Sequence, residues 1–388
     1  MSVVTPSTGL TFEKISTDEE FAALGDSWND LVRAMPRPSP HLLHQWLLTW
    51  WRHYGVGNEL AVHVAYRGHE LVGGLPLCVR RRRGLRVLSF LGAEQIPLAD
   101  LLLAKDEEAE VGTELAKHGA STQHDFADFH GLPSSSRFVA ALGQSRLELI
   151  VRAEAPVLEL NGREWEDVYR TRLSSKHRSL HRRRCRQLAR LGTIETTVAR
   201  TRDELAPALE DAFDLHALRW SGRPDRSEFG TPRGKAFHRE ATSALAELDD
   251  VVRIVTLKLD GRPIAFVYYL VLEGTMYCYR LAFDPEFQRF SPGLVNRYDA
   301  LENAFAEGVT RVEFLGGMER YKMELADRTE PLFEGLGLPQ GLAGRLVVSG
   351  RLNGIRLRRY VKRSSAIRHF YYEGLAPARR LFRIGTGP

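Results

Sequence analysis

Only three cysteines occur in 388 residues, Cys78, Cys185 and Cys278, far apart and without a Cys-x-x-Cys pair. Neither a disulfide framework nor a cysteine-based zinc site is therefore expected. No run of about 18 apolar residues is present, so no membrane-spanning helix is expected. The opening M-S-V-V-T-P-S-T lacks the basic-then-apolar pattern of a secretory signal, and a cytoplasmic location is expected. Acidic residues are missing where basic ones cluster. Residues 171–190 hold eight Lys/Arg and no acid, and residues 345–383 hold eleven against Glu373 alone. Because the whole chain carries only +5, the remainder is net acidic. The positive charge is local, which points to an anionic partner at particular surfaces.

What is present describes a folded protein. Hydrophobic residues make up 43% and charged residues 27%, and the length exceeds one ordinary core, so two domains are expected. L-T-F-E-K-I (Leu10 to Ile15) reads as a strand, with helices at 17–35 and 41–54 separated by the breaker P-R-P-S-P. From Glu59 to Gly92 three strands are expected, with turns at Arg67-Gly68 and Arg83-Gly84. From Val251 three more follow, with turns at Asp260-Gly261 and Glu273-Gly274. The two sets lie close to half the chain apart, as in a tandem duplication of one α/β unit. A helix near 107–118 and strands near 125–129 and 146–151 complete the first unit, and the boundary falls near Arg152 to Pro156.

The second unit contains a basic helix in L-S-S-K-H-R-S-L-H-R-R-R-C-R-Q-L-A-R-L-G. Ser174 or Ser175 caps it, and Leu173, Leu180, Leu188 and Leu191 share a buried stripe beneath the arginines. A strand at 194–199, a periodic helix ending in D-L-H-A-L-R-W, a polar loop at 219–230 and a helix at 232–248 follow. The chain then reaches its organising stretch. T-M-Y-C-Y-R-L-A-F (Thr275 to Phe283) alternates as a strand. D-P-E-F-Q-R-F-S-P-G-L leads into a helix with Leu294, Tyr298, Leu301 and Phe305 on one face and Gly308 as its stop. Ser291 is placed as the N-cap and Pro292 as the first helical residue. Such a helix start offers N–H groups and a positive dipole end to a phosphate, and Arg289 adds a bidentate cation. An ordinary capped helix would show the same residues.

A further strand, the Gly316-Gly317 break and Glu319-x-Tyr321-Lys322 complete an order that resembles the C-terminal half of the GNAT acyltransferases. More narrowly it resembles the cellulose-biosynthesis-type (CelD/BcsL) acetyltransferases, relatives of the Fem aminoacyl transferases, over about Leu173 to Arg328. The loop Arg289-Phe-Ser-Pro-Gly293 keeps that family's leading Arg and one Gly but has Ser-Pro where another Gly could stand. The resemblance implies tandem GNAT-like domains of α/β (α+β) class, each a mixed, mostly antiparallel sheet flanked by helices. Residues 1–153 would form a degenerate first domain, 154–340 the domain with the acyl-CoA site, and 341–388 a basic helical tail. It also implies direct transfer of an acyl group, acetyl being the expected one, from coenzyme A to an amine or hydroxyl of a small molecule or glycan. No covalent enzyme intermediate and no metal would be involved. The strand from Tyr277 to Phe283, including Leu281 and Phe283, would bind the pantetheine arm and polarise the thioester carbonyl. Ser291, Gly293, Leu294 and Arg289 would hold its pyrophosphate.

For acid–base work the candidates are His216, whose side-chain type titrates in the useful range, and Glu319, with Tyr321 and Lys322 beside it. Asp284 is a further candidate or a simple turn cap. His177 and His181 stand at i, i+4, a metal-binding spacing, but among arginines that repel a divalent ion. Cys185 reads as helix filler. The basic helix reads as a solvated face, an anion site or an RNA contact, since some Fem relatives take their acyl group from aminoacyl-tRNA; it lacks stacking aromatics. The alternatives are therefore a tRNA-dependent transferase or a non-catalytic module on nucleic acid. The basic tail leaves a peripheral contact with an anionic membrane open.

Overall fold

The computed structural model describes residues 9–363 apart from 93–94, 106, 108, 144–145, 222–227 and 249, with the backbone alone at 359 and 361–363. The first half runs β1 (Leu10–Ile15), α1 (Asp18–Ala22), α2 (Gly25–Arg33), α3 (His44–Tyr54), β2 (Glu59–Leu60), β3 (Val62–Arg67), β4 (Glu70–Leu75), β5 (Leu77–Arg82) and β6 (Leu85–Phe90). It continues with β7 (Leu102–Leu103), α4 (Ala109–Ser121), β8 (Phe126–Pro133), α5 (Arg137–Leu142) and β9 (Leu147–Glu159). The second half runs α6 (Trp165–Arg172), α7 (Ser175–Ala189), β10 (Ile194–Ala199), α8 (Arg202–Trp220), α9 (Pro232–Leu245), β11 (Val252–Leu259), β12 (Arg262–Leu272) and β13 (Thr275–Phe283). Then come α10 (Pro292–Ala306), β14 (Arg311–Glu313), α11 (Arg320–Met323), β15 (Arg328–Gly337) and α12 (Gly341–Arg363).

The hairpins form where the turns demand it. Asp260-Gly261 and Glu273-Gly274 both have positive φ at each residue, the geometry that suits the right-handed twist of two flanking strands. β11, β12 and β13 thereby become an antiparallel meander. The expected three strands between Glu59 and Gly92 are five short ones. Pro76 has no N–H to give to a ladder. It separates β4, which joins the sheet β1-β3-β4-β7, from β5, which joins the large one.

That large sheet has eleven strands in the order β10-β11-β12-β13-β14-β9-β15-β8-β6-β5-β2. Its only two parallel pairs among the described residues are β6–β8 and β13–β14, each joined through one helix, α4 or α10. The same unit thus occurs twice. The units are welded by exchange: β9 crosses to pair with β14, β15 crosses to pair with β8, and the two crossing strands pair with each other. The expected boundary at 153 therefore lies inside one continuous strand.

Ser174 caps α7 by accepting from the His177 N–H, and Leu173 and Leu188 are buried. Leu180 is half-buried, and Leu191 is 43% exposed because the helix ends before it reaches the core. No helix among the described residues is long and apolar enough to cross a membrane.

Candidate active site

β13 and β14 run side by side for three residues, Thr275–Tyr277 against Arg311–Glu313. They then part. The Phe314 N–H turns to the Pro156 carbonyl of β9, and Leu315 takes a left-handed φ of 57°. On the other strand the β12–β13 register slips, Tyr268 opposite Arg280 and Tyr269 opposite Cys278, which leaves Tyr279 as the extra residue of a bulge. A bulge re-aims backbone groups away from the ladder. β13 therefore presents unladdered backbone to a wedge between two parallel strands.

A cavity of about 450 Å³ fills this wedge. His216 reaches it from α8, Cys278 to Leu281 from β13, and Glu319, Tyr321 and Lys322 from the start of α11. Gln95 and Pro97 of the first unit close it. A second cavity of about 320 Å³ lies between α7, α10 and α11, lined by His177, Leu294 and Arg297 among others. Tyr321 belongs to both walls.

Four sequence candidates, His216, Glu319, Tyr321 and Lys322, thus meet in one cavity. His216 is 4% exposed, with its ring 5.1 Å from that of Phe229. The Lys322 ammonium is held by the Gly316 carbonyl at 3.0 Å and the Glu319 carboxylate at 2.9 Å. Burial raises the Tyr321 hydroxyl above its usual pKa, and the Arg297 guanidinium lies over its ring at 4.0 Å. The phenol stays protonated and able to donate. Cys278, which the sequence reading left out, lines the cavity as a thiol that burial pushes up to about 12. A thiol so far from ionisation is a poor nucleophile.

Asp284 is not part of this group. Its carboxylate caps the 3₁₀ turn after β13 by accepting from the Glu286 N–H at 3.0 Å and pairs with Arg262 at 2.5 Å. Its chemistry is used up in holding the strand end.

The phosphate-loop candidates are partly displaced from their expected roles. Ser291 stands at the N-cap position of α10 but in a left-handed conformation, with no side-chain cap bond. Its carbonyl takes the Leu294 N–H at 2.9 Å, so the helix start offers fewer free donors than a glycine loop. Gly293 leaves room for Phe283, since a Cβ there would lie 3.0 Å from that ring. The Arg289 side chain is exposed, stacked over Phe290 at 4.5 Å. Leu281 reaches the larger cavity and Leu294 the smaller. The Phe283 ring is covered by Arg219 at 4.9 Å.

Arg297 and Arg280 are the residues the sequence reading missed. Arg297 is 9% exposed, its Nε has no hydrogen-bond partner, and among the described residues no carboxylate pairs with it. Arg280 interrupts the apolar run of β13, and that interruption was the available signal. His177 and His181 do not share a ligand: His181 Nδ1 bonds the Tyr169 hydroxyl at 2.8 Å, while His177 faces Glu324 and Arg320. Asp128, His130 and Glu334 could together offer metal-ligand atoms. Arg351 already binds both carboxylates, at 2.8 and 2.6 Å.

A parallel pair that splays beside a bulged strand is the arrangement of a GNAT-type acyltransferase fold. Residues 175–323 match the family described as the acetyltransferase (GNAT) domain. No curated protein matches the chain. Among solved structures it is similar to a C-terminal domain (DUF2156) from Agrobacterium fabrum whose parent is named as a lysylphosphatidylglycerol synthetase (12% identity, 88% of this chain and 97% of that one, TM-score 0.55). It is also similar to FemX (12%, 84% and 96%, 0.54). A third likeness is to a conserved protein of unknown function from Bacteroides thetaiotaomicron (14%, 84% and 99%, 0.53).

Proposed function

We propose that the chain transfers an acyl group, acetyl first among them, from coenzyme A to an amine or hydroxyl by direct attack. The observation that carries this reading is the wedge between β13 and β14, where unladdered backbone, His216, Glu319, Tyr321 and Lys322 converge on one cavity. The pantetheine arm would lie along β13, its phosphates toward Leu294 and Arg297. A buried guanidinium without a carboxylate is costly unless an anion completes it, and a coenzyme phosphate is such an anion.

In the transfer, His216 or Glu319 takes the proton of the attacking N–H or O–H. The nucleophile forms its bond to the thioester carbon, and the oxyanion is held by an N–H at the Tyr279 bulge. The C–S bond breaks, the Tyr321 hydroxyl donates a hydrogen bond to the departing thiolate, and the thiolate takes up the proton that the base removed. His216 is the stronger candidate base because Glu319 is engaged by Lys322 and half-exposed. On this reading residues 1–153 contribute a wall, through Gln95 and Pro97, and no donor site of their own. The CelD/BcsL type of acetyltransferase is the narrower grouping we favour.

The test is thiol release from acetyl-CoA in the presence of an amine panel. Transfer that depends on His216 or Glu319 supports the reading. Its absence, together with transfer from aminoacyl-tRNA, would favour the second reading, which the exposed arginines of α7 (Arg182, Arg183 and Arg186) support.

A further inference from the structure

Arg280 is a cation without a counterion inside the larger cavity. Its Nε is buried and lacks a hydrogen-bond partner. One terminal nitrogen reaches only its own neighbour's carbonyl, Tyr279, at 3.5 Å, and its guanidinium lies over the Tyr279 ring at 4.5 Å. Among the described residues no carboxylate is within ion-pair distance of it. Glu319, the acid of the same cavity, is taken by Lys322. Behind Tyr279 stands His41, fully buried, with neither ring nitrogen hydrogen-bonded and its ring 5.2 Å from that of Tyr279. Burial, and then the Arg280 charge, hold His41 down at about 3, so it is a neutral donor and acceptor and not a second cation. Gln95, whose Oε1 accepts from Trp50, also lines the cavity. Among the described residues of this cavity, Arg280 is thus a cation that no carboxylate neutralises.

We propose that the acceptor carries an oxyanion, a carboxylate or a phosphate, which Arg280 binds while the amine or hydroxyl faces His216. This rests on the acyl-transfer reading, but the anion site can be tested without it. The matched probes are glucosamine against glucosamine 6-phosphate and asparagine against aspartate. Binding by calorimetry needs no donor; transfer from acetyl-CoA is read separately. At least one anionic member should exceed its neutral twin by roughly 10- to 100-fold, the range of a charged hydrogen-bonded contact. Arg280→Gln should bring the ratio of anionic to neutral affinity down to about one, and Arg280→Lys should keep part of the advantage. Absence of an Arg280-dependent advantage in both pairs overturns the assignment. Loss of transfer with anion binding intact would instead count against the acyl-transfer reading.

A different observation carries a second inference. Helix α12 packs through Val348 and through Arg351 bonded to Asp128 and Glu334. On the side away from that contact, Leu342, Leu346, Leu357 and Tyr360 are 78, 74, 63 and 64% exposed. At about 100° per residue these four fall within roughly 60° of one another, with Arg345 and Arg356 at the edge of the stripe. Residues 341–363 contain no acid. A second copy of the helix would bring like charges together, whereas an apolar stripe with flanking cations suits an anionic bilayer surface. We infer that α12 lies on anionic lipid. The full chain should float with vesicles containing phosphatidylglycerol and not with pure phosphatidylcholine, and Leu342→Glu with Leu346→Glu should abolish flotation. No flotation at low salt, flotation unchanged by the substitutions, or a dimer that they dissociate would overturn it.

Discussion

Arg37, from the proline-rich loop of the first unit, grips the fully buried carboxylate of Glu313 with two hydrogen bonds of 2.8 and 2.7 Å. Glu313 is the last residue of β14 before the strands part. The same loop accepts the Tyr277 hydroxyl at the Pro38 carbonyl. The wedge is therefore pinned at its apex by a residue about 240 positions distant in sequence from Tyr277. Bidentate pairing of this kind fixes orientation as well as distance.

Arg37→Ala leaves the Glu313 charge buried with Arg311 as its remaining partner. Breaking a buried pair typically costs about 3–5 kcal/mol, and Arg311 should hold the loss to the lower end. Denaturant unfolding measures it. A loss below about 1 kcal/mol would mean that the apex does not depend on this clamp.

Gly293→Val places methyl groups against Phe283, whose ring is already 3.0 Å from the position of a Cβ. Overpacking of this kind costs about 1–3 kcal/mol. The helix start should shift away from β13, so acetyl-CoA affinity by calorimetry should fall while the chain stays folded. Unchanged affinity would remove the donor phosphates from this helix start.

Acid should destabilise the fold through its buried histidines. Burial holds His41 and His238 at about 3 against an ordinary 6.5. The unfolded chain then binds more protons than the folded one between pH 6.5 and 3, so stability falls as pH drops through that window. His238 Nδ1 faces the Gly234 carbonyl and its Nε2 the Tyr279 hydroxyl at 2.8 Å. His238→Asn should flatten the slope of unfolding free energy against pH. An unchanged slope would assign the acid sensitivity elsewhere.

Much of the second unit was legible because its signals are local. The turns Asp260-Gly261 and Glu273-Gly274, the alternation of β13 and the Pro292 helix start each lie within a few residues. The exchange of β9 and β15 was not legible. It pairs Glu330 with Ala155, and a short alternating strand carries no mark of its partner. The meeting of His216 with Tyr321 likewise depends on how α8 crosses β13, which the sequence of neither element states. Leu191 was misread as buried because the helical period was extended past the end of α7. Asp284 was open to two readings, and Arg262 beside it decides for the cap.

Turnover against binding tests the central claim most directly. Acetyl-CoA should titrate as one site per chain into the wild type, and with the same affinity into His216→Ala and Glu319→Gln. Thiol release should fall in at least one of them by about 10²–10⁴, the cost of a lost general base. No acetyl-CoA binding to the wild type, or wild-type turnover in both variants across neutral pH, would contradict the account.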